Sequence, residues 1–121
     1  MRIFALDDYL ATAQGYQSLY CAEPFVDPYE LMHALKLERP DLLITDLNLG
    51  KTMTGWDVVE QARELYPDLP IIVATGLTEK EQEALAHIKG VDFWAKGDAL
   101  DGLKILRALV EKYGQPSRAH N

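Results

Sequence analysis

The sequence predicts an α/β fold, a doubly wound parallel sheet of five strands carried by a single domain. Short β-rich runs alternate with helical segments along the chain, the pattern of a sheet with helices on both faces. The strand runs are apolar with little polar alternation, which suits strands covered on both sides. The 121 residues, 48% of them hydrophobic, are enough for one domain with one core and exclude wholesale disorder. The domain is expected over residues 1–114, with 115–121 as a frayed tail.

The first strand is "RIFAL" (2–6), which runs straight into the acidic pair Asp7–Asp8. The second is read at "SLYCA" (18–22), which leaves only "YLATAQGY" (9–16) for a first helix. That helix is expected to be short, two turns at best, or absent. A helix of about eight residues reaches about 12 Å, against about 17 Å for a typical strand. The segment should therefore cover the sheet poorly and expose apolar side chains near Ile3, Ala5 or Leu19. An uncovered face of that kind marks a contact surface, so a homodimer or a partner is expected there.

The next helix, "DPYELMHALKLE", opens with Asp27 as N-cap, Pro28 at the first helical position and Glu30 completing a capping box. "LLITD" (42–46) is the third strand. In "TGWDVVEQARELYP" a helix starts at Thr54; Val58, Val59, Ala62, Leu65 and Tyr66 fall at helical spacing, and Pro67 stops it. "IIVAT" (71–75) is the fourth strand. "TEKEQEALAHIKG" has Thr78 and Glu81 as a capping box and Gly90 as its stop. In the fifth strand, "DFWAK" (92–96), Phe93 and Trp94 face opposite sides, one of them the core. The last helix, "DALDGLKILRALVEKYG", carries Leu103, Leu106, Leu109, Val110 and Tyr113 on one stripe.

Composition narrows the function classes. The net charge of −7 argues against unaided binding to nucleic acid or an anionic membrane. No apolar stretch could span a bilayer, and "MRIFALDD" is too short for a signal peptide, so a cytoplasmic location is expected. The lone cysteine, Cys21, suits a reducing compartment and reads as core filler within an apolar stretch. His33, His87 and His120 show no metal-ligand spacing.

In a doubly wound sheet, function sits at the carboxyl ends of the strands. Those ends carry Asp7 and Asp8, Asp46, Thr75 and Lys96. A buried ionised carboxylate is costly unless paired, and converging like charges favour a cation. A hard, oxygen-loving ion such as Mg²⁺ fits, because it accepts one or two carboxylates and keeps water and phosphate oxygens. Lys96 offers a mobile point charge for a phosphate oxygen, and Thr75 a hydroxyl donor. Metal, ammonium and hydroxyl around one carboxylate suit phosphoryl transfer, with Asp46 as the nucleophile. Each residue also has a bland role: Asp46 as a turn cap, Asp7–Asp8 as the N-cap of a short helix, Thr75 as a β-branched strand residue, Lys96 as a loop charge, Phe93 as a strand aromatic.

From about Arg2 to Tyr113 the sequence resembles a two-component response-regulator receiver domain. The resemblance rests on Asp7–Asp8, on Asp46 within "PDLLITDLNL", on Thr75 within "PIIVATG" and on Lys96 within "VDFWAKG", in that order. It implies a flavodoxin-like strand order 2-1-3-4-5. It further implies that Asp46 takes a phosphoryl group from a phosphohistidine, on a sensor histidine kinase or a histidine phosphotransfer protein, and that a downstream output protein responds. The cofactor implied is Mg²⁺, held by Asp7, Asp8, Asp46 and the backbone carbonyl of Asn48. Thr75 and Lys96 would bind the phosphoryl oxygens, and Phe93 would follow the Thr75 hydroxyl inward as a switch. Such a domain is no enzyme beyond its own phosphorylation and dephosphorylation. Three features depart from the family: Gly97 follows Lys96 where proline is usual, "LNLGKTMTG" is a residue longer than the common loop, and the first helix is short. The short first helix and the missing proline support an alternative, a degenerate receiver acting as a phosphorylation-independent interaction module. A flavin protein or an aspartate-based phosphatase fits poorly: "DDYLATAQG" repels phosphate, and Asn48 stands where a phosphatase wants a second acid.

Overall fold

The structure is a computed structural model that describes residues 1–50, 53–76, 80–95 and 99–114. Five strands, β1 (Ile3–Leu6), β2 (Glu23–Phe25), β3 (Leu42–Asp46), β4 (Ile71–Thr75) and β5 (Asp92–Ala95), alternate with α1 (Leu10–Tyr20), α2 (Pro28–Leu37), α3 (Gly55–Leu65), α4 (Lys80–Lys89) and α5 (Ala99–Gly114). All pairings are parallel and the order is β2-β1-β3-β4-β5, as expected. Parallel strands need crossovers, and here every crossover contains a helix.

Side chains alternate along each strand, so the sheet has two buried faces. Ile3, Ala5, Leu42, Ile44, Ile72, Ala74 and Trp94 pack under Tyr16 of α1 and Leu106 and Val110 of α5. Phe4, Leu6, Leu43, Ile71 and Val73 pack under α2, α3 and α4, with Phe93 half-buried against them. Trp94 and Phe93 thus face opposite sides, and Trp94 is the core residue.

The first connection departs from expectation. α1 has 11 residues and three turns, and it is neither short nor absent. The second strand lies at Glu23–Phe25, not at 18–22. Ser18, Leu19 and Tyr20 are the last residues of α1, an apolar run that a local reading cannot tell from a strand. β2 itself carries Pro24 opposite Ala5 and is an edge strand, where a missing N–H costs no ladder bond. An 11-residue helix reaches about 16 Å, enough to run back along β1. Ile3 and Ala5 are accordingly buried at 3% and 0%, and the exposed Leu19 sits on the outer side of a full helix. Among the described residues, the uncovered face that suggested a homodimer is absent.

Cys21 is also not core filler. It is exposed and ends α1 in the left-handed region at φ 55°, donating its N–H to the carbonyls of Gln17 and Tyr16. Asp27 caps α2, accepting from the Tyr29 N–H at 2.9 Å rather than from Glu30, one residue off a capping box. Thr54 caps α3 in a reciprocal box with Asp57 (3.2 and 2.9 Å). Leu65 is 39% exposed and so lies off the buried stripe of α3. Gly90 follows α4 as its stop. The Thr78–Glu81 cap and the tail after Gly114 lie outside the described residues, as do the side chains at positions 81 and 103.

Gly55 opens α3 where no side chain fits. A Cβ there would lie 2.2 Å from the Asp46 carbonyl oxygen and 2.5 Å from the Leu47 Cα. These are backbone atoms, so α3 starts directly on the end of β3, and the Gly55 N–H donates to the Leu47 carbonyl at 3.1 Å. Gly55→Ala should therefore lower stability by about 1–3 kcal/mol, as overpacking does; urea denaturation measures it, and an unchanged midpoint would contradict the close approach. Cys21→Gly should act oppositely. Relief of the left-handed strain, about 1–2 kcal/mol, exceeds the added chain entropy of glycine, so the urea midpoint should rise by the equivalent of about 0.5–1 kcal/mol.

Candidate functional site

β1 delivers Asp7 and Asp8 to the carboxyl edge of the sheet, and β3 delivers Asp46 beside them. One carboxylate oxygen from each of the three lies within 4.8 Å of the others. Asp7 and Asp46 are buried, at 1% and 7% exposure, while Asp8 is exposed. Asp46 is far from Asp7 and Asp8 in sequence; the parallel register that pairs Leu6 with Thr45 brings it to them.

Local backbone bonds hold the two buried acids. The Asp7 N–H donates to the Phe25 carbonyl at 3.0 Å, extending the β1–β2 ladder, and its Oδ1 accepts from the Tyr9 N–H at 2.9 Å. Asp7 thus shapes the turn into α1, whose N-cap is Tyr9 rather than an aspartate. Asp46 Oδ1 accepts from the Asn48 N–H at 3.1 Å, so the turn role of this aspartate is present along with its place in the cluster. The Leu47 N–H donates to the Ala74 carbonyl at 2.9 Å, which ties the end of β3 to β4. After Asn48, which is exposed, Leu49 is buried at 2% and anchors the loop in the core. Gly50, at φ 60°, passes so close that a Cβ would lie 3.2 Å from Asp8 Oδ2.

Thr75 ends β4 and is 8% exposed. The register pairs Val73 with Phe93 and Thr75 with Ala95, so Thr75 and Phe93 lie on the same sheet face. Phe93, half-buried, lines a recess of about 260 Å³ with Glu83, Ala86, His87 and Val91. Lys96 lies just beyond β5, outside the described residues, as does Gly97.

A clustered set of hard oxygen ligands, part buried and part open to solvent, fits a small divalent cation with some water retained. Tyr16 approaches this cluster from α1: burial, then the charges of Asp7 and Asp46, push its phenol well above the ordinary tyrosine range, so it stays a neutral donor. Reading by motif did not find Gly50, Gly55 or Tyr16. The Thr-Gly pair before α3 was a signal for Gly55, and a tyrosine on the inner side of α1 was one for Tyr16 once the helix was given its full length.

The chain was compared with known proteins. A family model described as the response regulator receiver domain matches residues 5–104. The DNA-binding transcriptional regulator NtrC of Proteus hauseri is 28% identical over 97 residues, covering 76% of this chain and 20% of that protein. The regulatory protein LuxO of Vibrio vulnificus is 36% identical over 78 residues, covering 63% of this chain and 17% of that protein. The chain therefore spans a small part of these relatives' length. Among solved structures, the chemotaxis protein CheY4 of Vibrio cholerae superposes with a TM-score of 0.74 at 26% identity, covering 89% of this chain and 97% of that one. A two-component response regulator from Clostridium difficile superposes with a TM-score of 0.83 at 18% identity, covering 98% of both chains, and so shares the fold. With the family model spanning most of the chain and the acid cluster at the carboxyl edge of the sheet, the chain belongs to the response regulator receiver domain family.

Proposed function

We propose that the chain is a phosphoacceptor switch of a two-component or phosphorelay system. An Asp46 carboxylate oxygen attacks the phosphorus of a phosphohistidine, the P–N bond breaks, and an acyl phosphate forms on Asp46 while the imidazole leaves. The donor is a sensor histidine kinase or a histidine phosphotransfer protein, and a downstream output protein reads the result. The single observation that supports this best is the approach of Asp7, Asp8 and Asp46 within 4.8 Å at the edge where such a fold places its chemistry.

Asp7, Asp8, Asp46 and the Asn48 carbonyl would hold Mg²⁺. When bound, the ion neutralises charge that builds on the phosphoryl oxygens. The Asn48 N–H orients the Asp46 carboxylate for attack, and the close packing of Gly55 holds the Asp46 backbone. Thr75 and Lys96 grip the phosphoryl oxygens, and Phe93 moves with Thr75, with which it shares a sheet face beside the recess at α4. Among the described residues no helix is long and apolar enough to cross a membrane, which is compatible with a cytoplasmic site of action. The alternative, a degenerate interaction module, drew weight from a shortened first helix. α1 is full length, so that ground is gone; the other, the missing proline after Lys96, lies outside the described residues.

Incubation with acetyl phosphate and Mg²⁺ should add one phosphoryl group, read by intact mass, and Asp46→Asn should add none. An unchanged wild-type mass, or modification that persists in Asp46→Asn, would refute the assignment. Mg²⁺ should also raise the melting temperature modestly, because it relieves the acid cluster. Asp8→Asn should be the more stable protein without metal and should lose the Mg²⁺ response; an equal response in both would remove Asp8 from the site.

A further inference from the structure

Tyr16 is an odd residue for its place. α1 turns Ala13 and Tyr16 inward, and the Tyr16 ring packs among Ile3, Ala5, Leu42 and Ile44 with its edge toward Trp94, the ring centroids 6.3 Å apart. Any large apolar side chain would fill that space. The hydroxyl is what needs a reason. Its oxygen is sealed from solvent, the residue is 3% exposed, and no hydrogen-bond partner meets it among the described residues. A buried hydroxyl without a partner costs about 1–3 kcal/mol, and nearly all such groups in folded proteins are satisfied.

The alternation of the sheet says where a partner lies. Ile3, Ala5 and Asp7 follow one another on one side of β1 and its continuation. Leu42, Ile44 and Asp46 do the same on β3. Tyr16 therefore lies over two apolar rows that each end in a carboxylate. The charges of those two carboxylates act on its phenol, second only to burial. Asp7 accepts the Tyr9 N–H on Oδ1, and a carboxylate offers about four acceptor sites in all. Carboxylates that ligate metals are themselves held by outer hydrogen bonds.

We propose that Tyr16 is a positioning residue for the acidic site: its buried O–H donates toward the Asp7 carboxylate through one buried water and orients that carboxylate for a divalent cation. The inference rests on the Mg²⁺ reading above. It adds a donor from α1, reaching the site from within the core rather than from the loops that surround it.

The test is an Mg²⁺ titration of the full chain, followed by tryptophan emission, in wild type and Tyr16→Phe. The substitution keeps the ring and removes the hydroxyl. Mg²⁺ affinity should fall by about tenfold, the lower end of what loss of an outer partner costs. The melting temperature without metal should fall by no more than several degrees, the loss of one hydrogen bond to a buried carboxylate. Equal Mg²⁺ affinity in the two proteins would overturn the inference while leaving the metal site standing. A Tyr16→Phe protein that melts below wild type without metal yet binds Mg²⁺ equally would make the hydroxyl structural only, and would overturn it too. Wild type that fails to bind Mg²⁺ at all would overturn both the site and the inference.

Discussion

The mutual repulsion of Asp7, Asp8 and Asp46 is the constraint on which the rest of the site depends. Two unit charges within 4.8 Å repel by about 3 kcal/mol or more at an effective dielectric of about 20. Asp7 and Asp46 are also nearly removed from water. A chain free to choose would let these side chains part. Here the backbone does not let them. Asp7 is tied at its N–H to Phe25 and at its carboxylate to Tyr9, and Asp46 is tied to Asn48 and pinned by the first turn of α3. Carboxylates held close by such a frame are the situation in which a cation or a neutralising modification has most to relieve.

The two faces of the sheet divide the labour. One face carries rows ending in Asp7 and Asp46, and the other carries Thr75 and Phe93. Asp46 pairs with Ala74 in the register, one residue before Thr75, so a change at the acid edge is one peptide away from the opposite face. In the proposed switch the chemistry takes place on the α1/α5 side and the response on the α4 side. In that proposal Phe93 would repack beside the recess it lines with Ala86 and Val91.

The full length of α1 changes how the site is understood. With a stunted helix, the acid pair would stand at the edge of an open face. With three turns, α1 seals Ile3 and Ala5, and Tyr16 sits behind the carboxylates. The low-dielectric floor this creates strengthens both the repulsion among the acids and any hydrogen bond that offsets it. Cys21, exposed at the left-handed end of the helix, is what allows α1 to stop and β2 to begin within two residues.

What the sequence determined by itself was the alternation of strand and helix, the parallel sheet, and the placing of Asp7, Asp8, Asp46 and Thr75 at carboxyl ends. These follow from local pattern: apolar runs of strand length, caps such as Asp27 and Thr54, and a direction shared by all strands. The tertiary structure decided the rest. "SLYCA" ends a helix because Leu19 can face solvent while Tyr16 reaches the sheet, and "EPF" pairs because β2 is an edge, neither of which is local information. The need for glycine at position 55 arises from the Asp46 backbone beneath it. The convergence of the three acids and the burial of the Tyr16 hydroxyl are distances between residues remote in the chain, and such distances exist only once the strands have paired and the helices have packed.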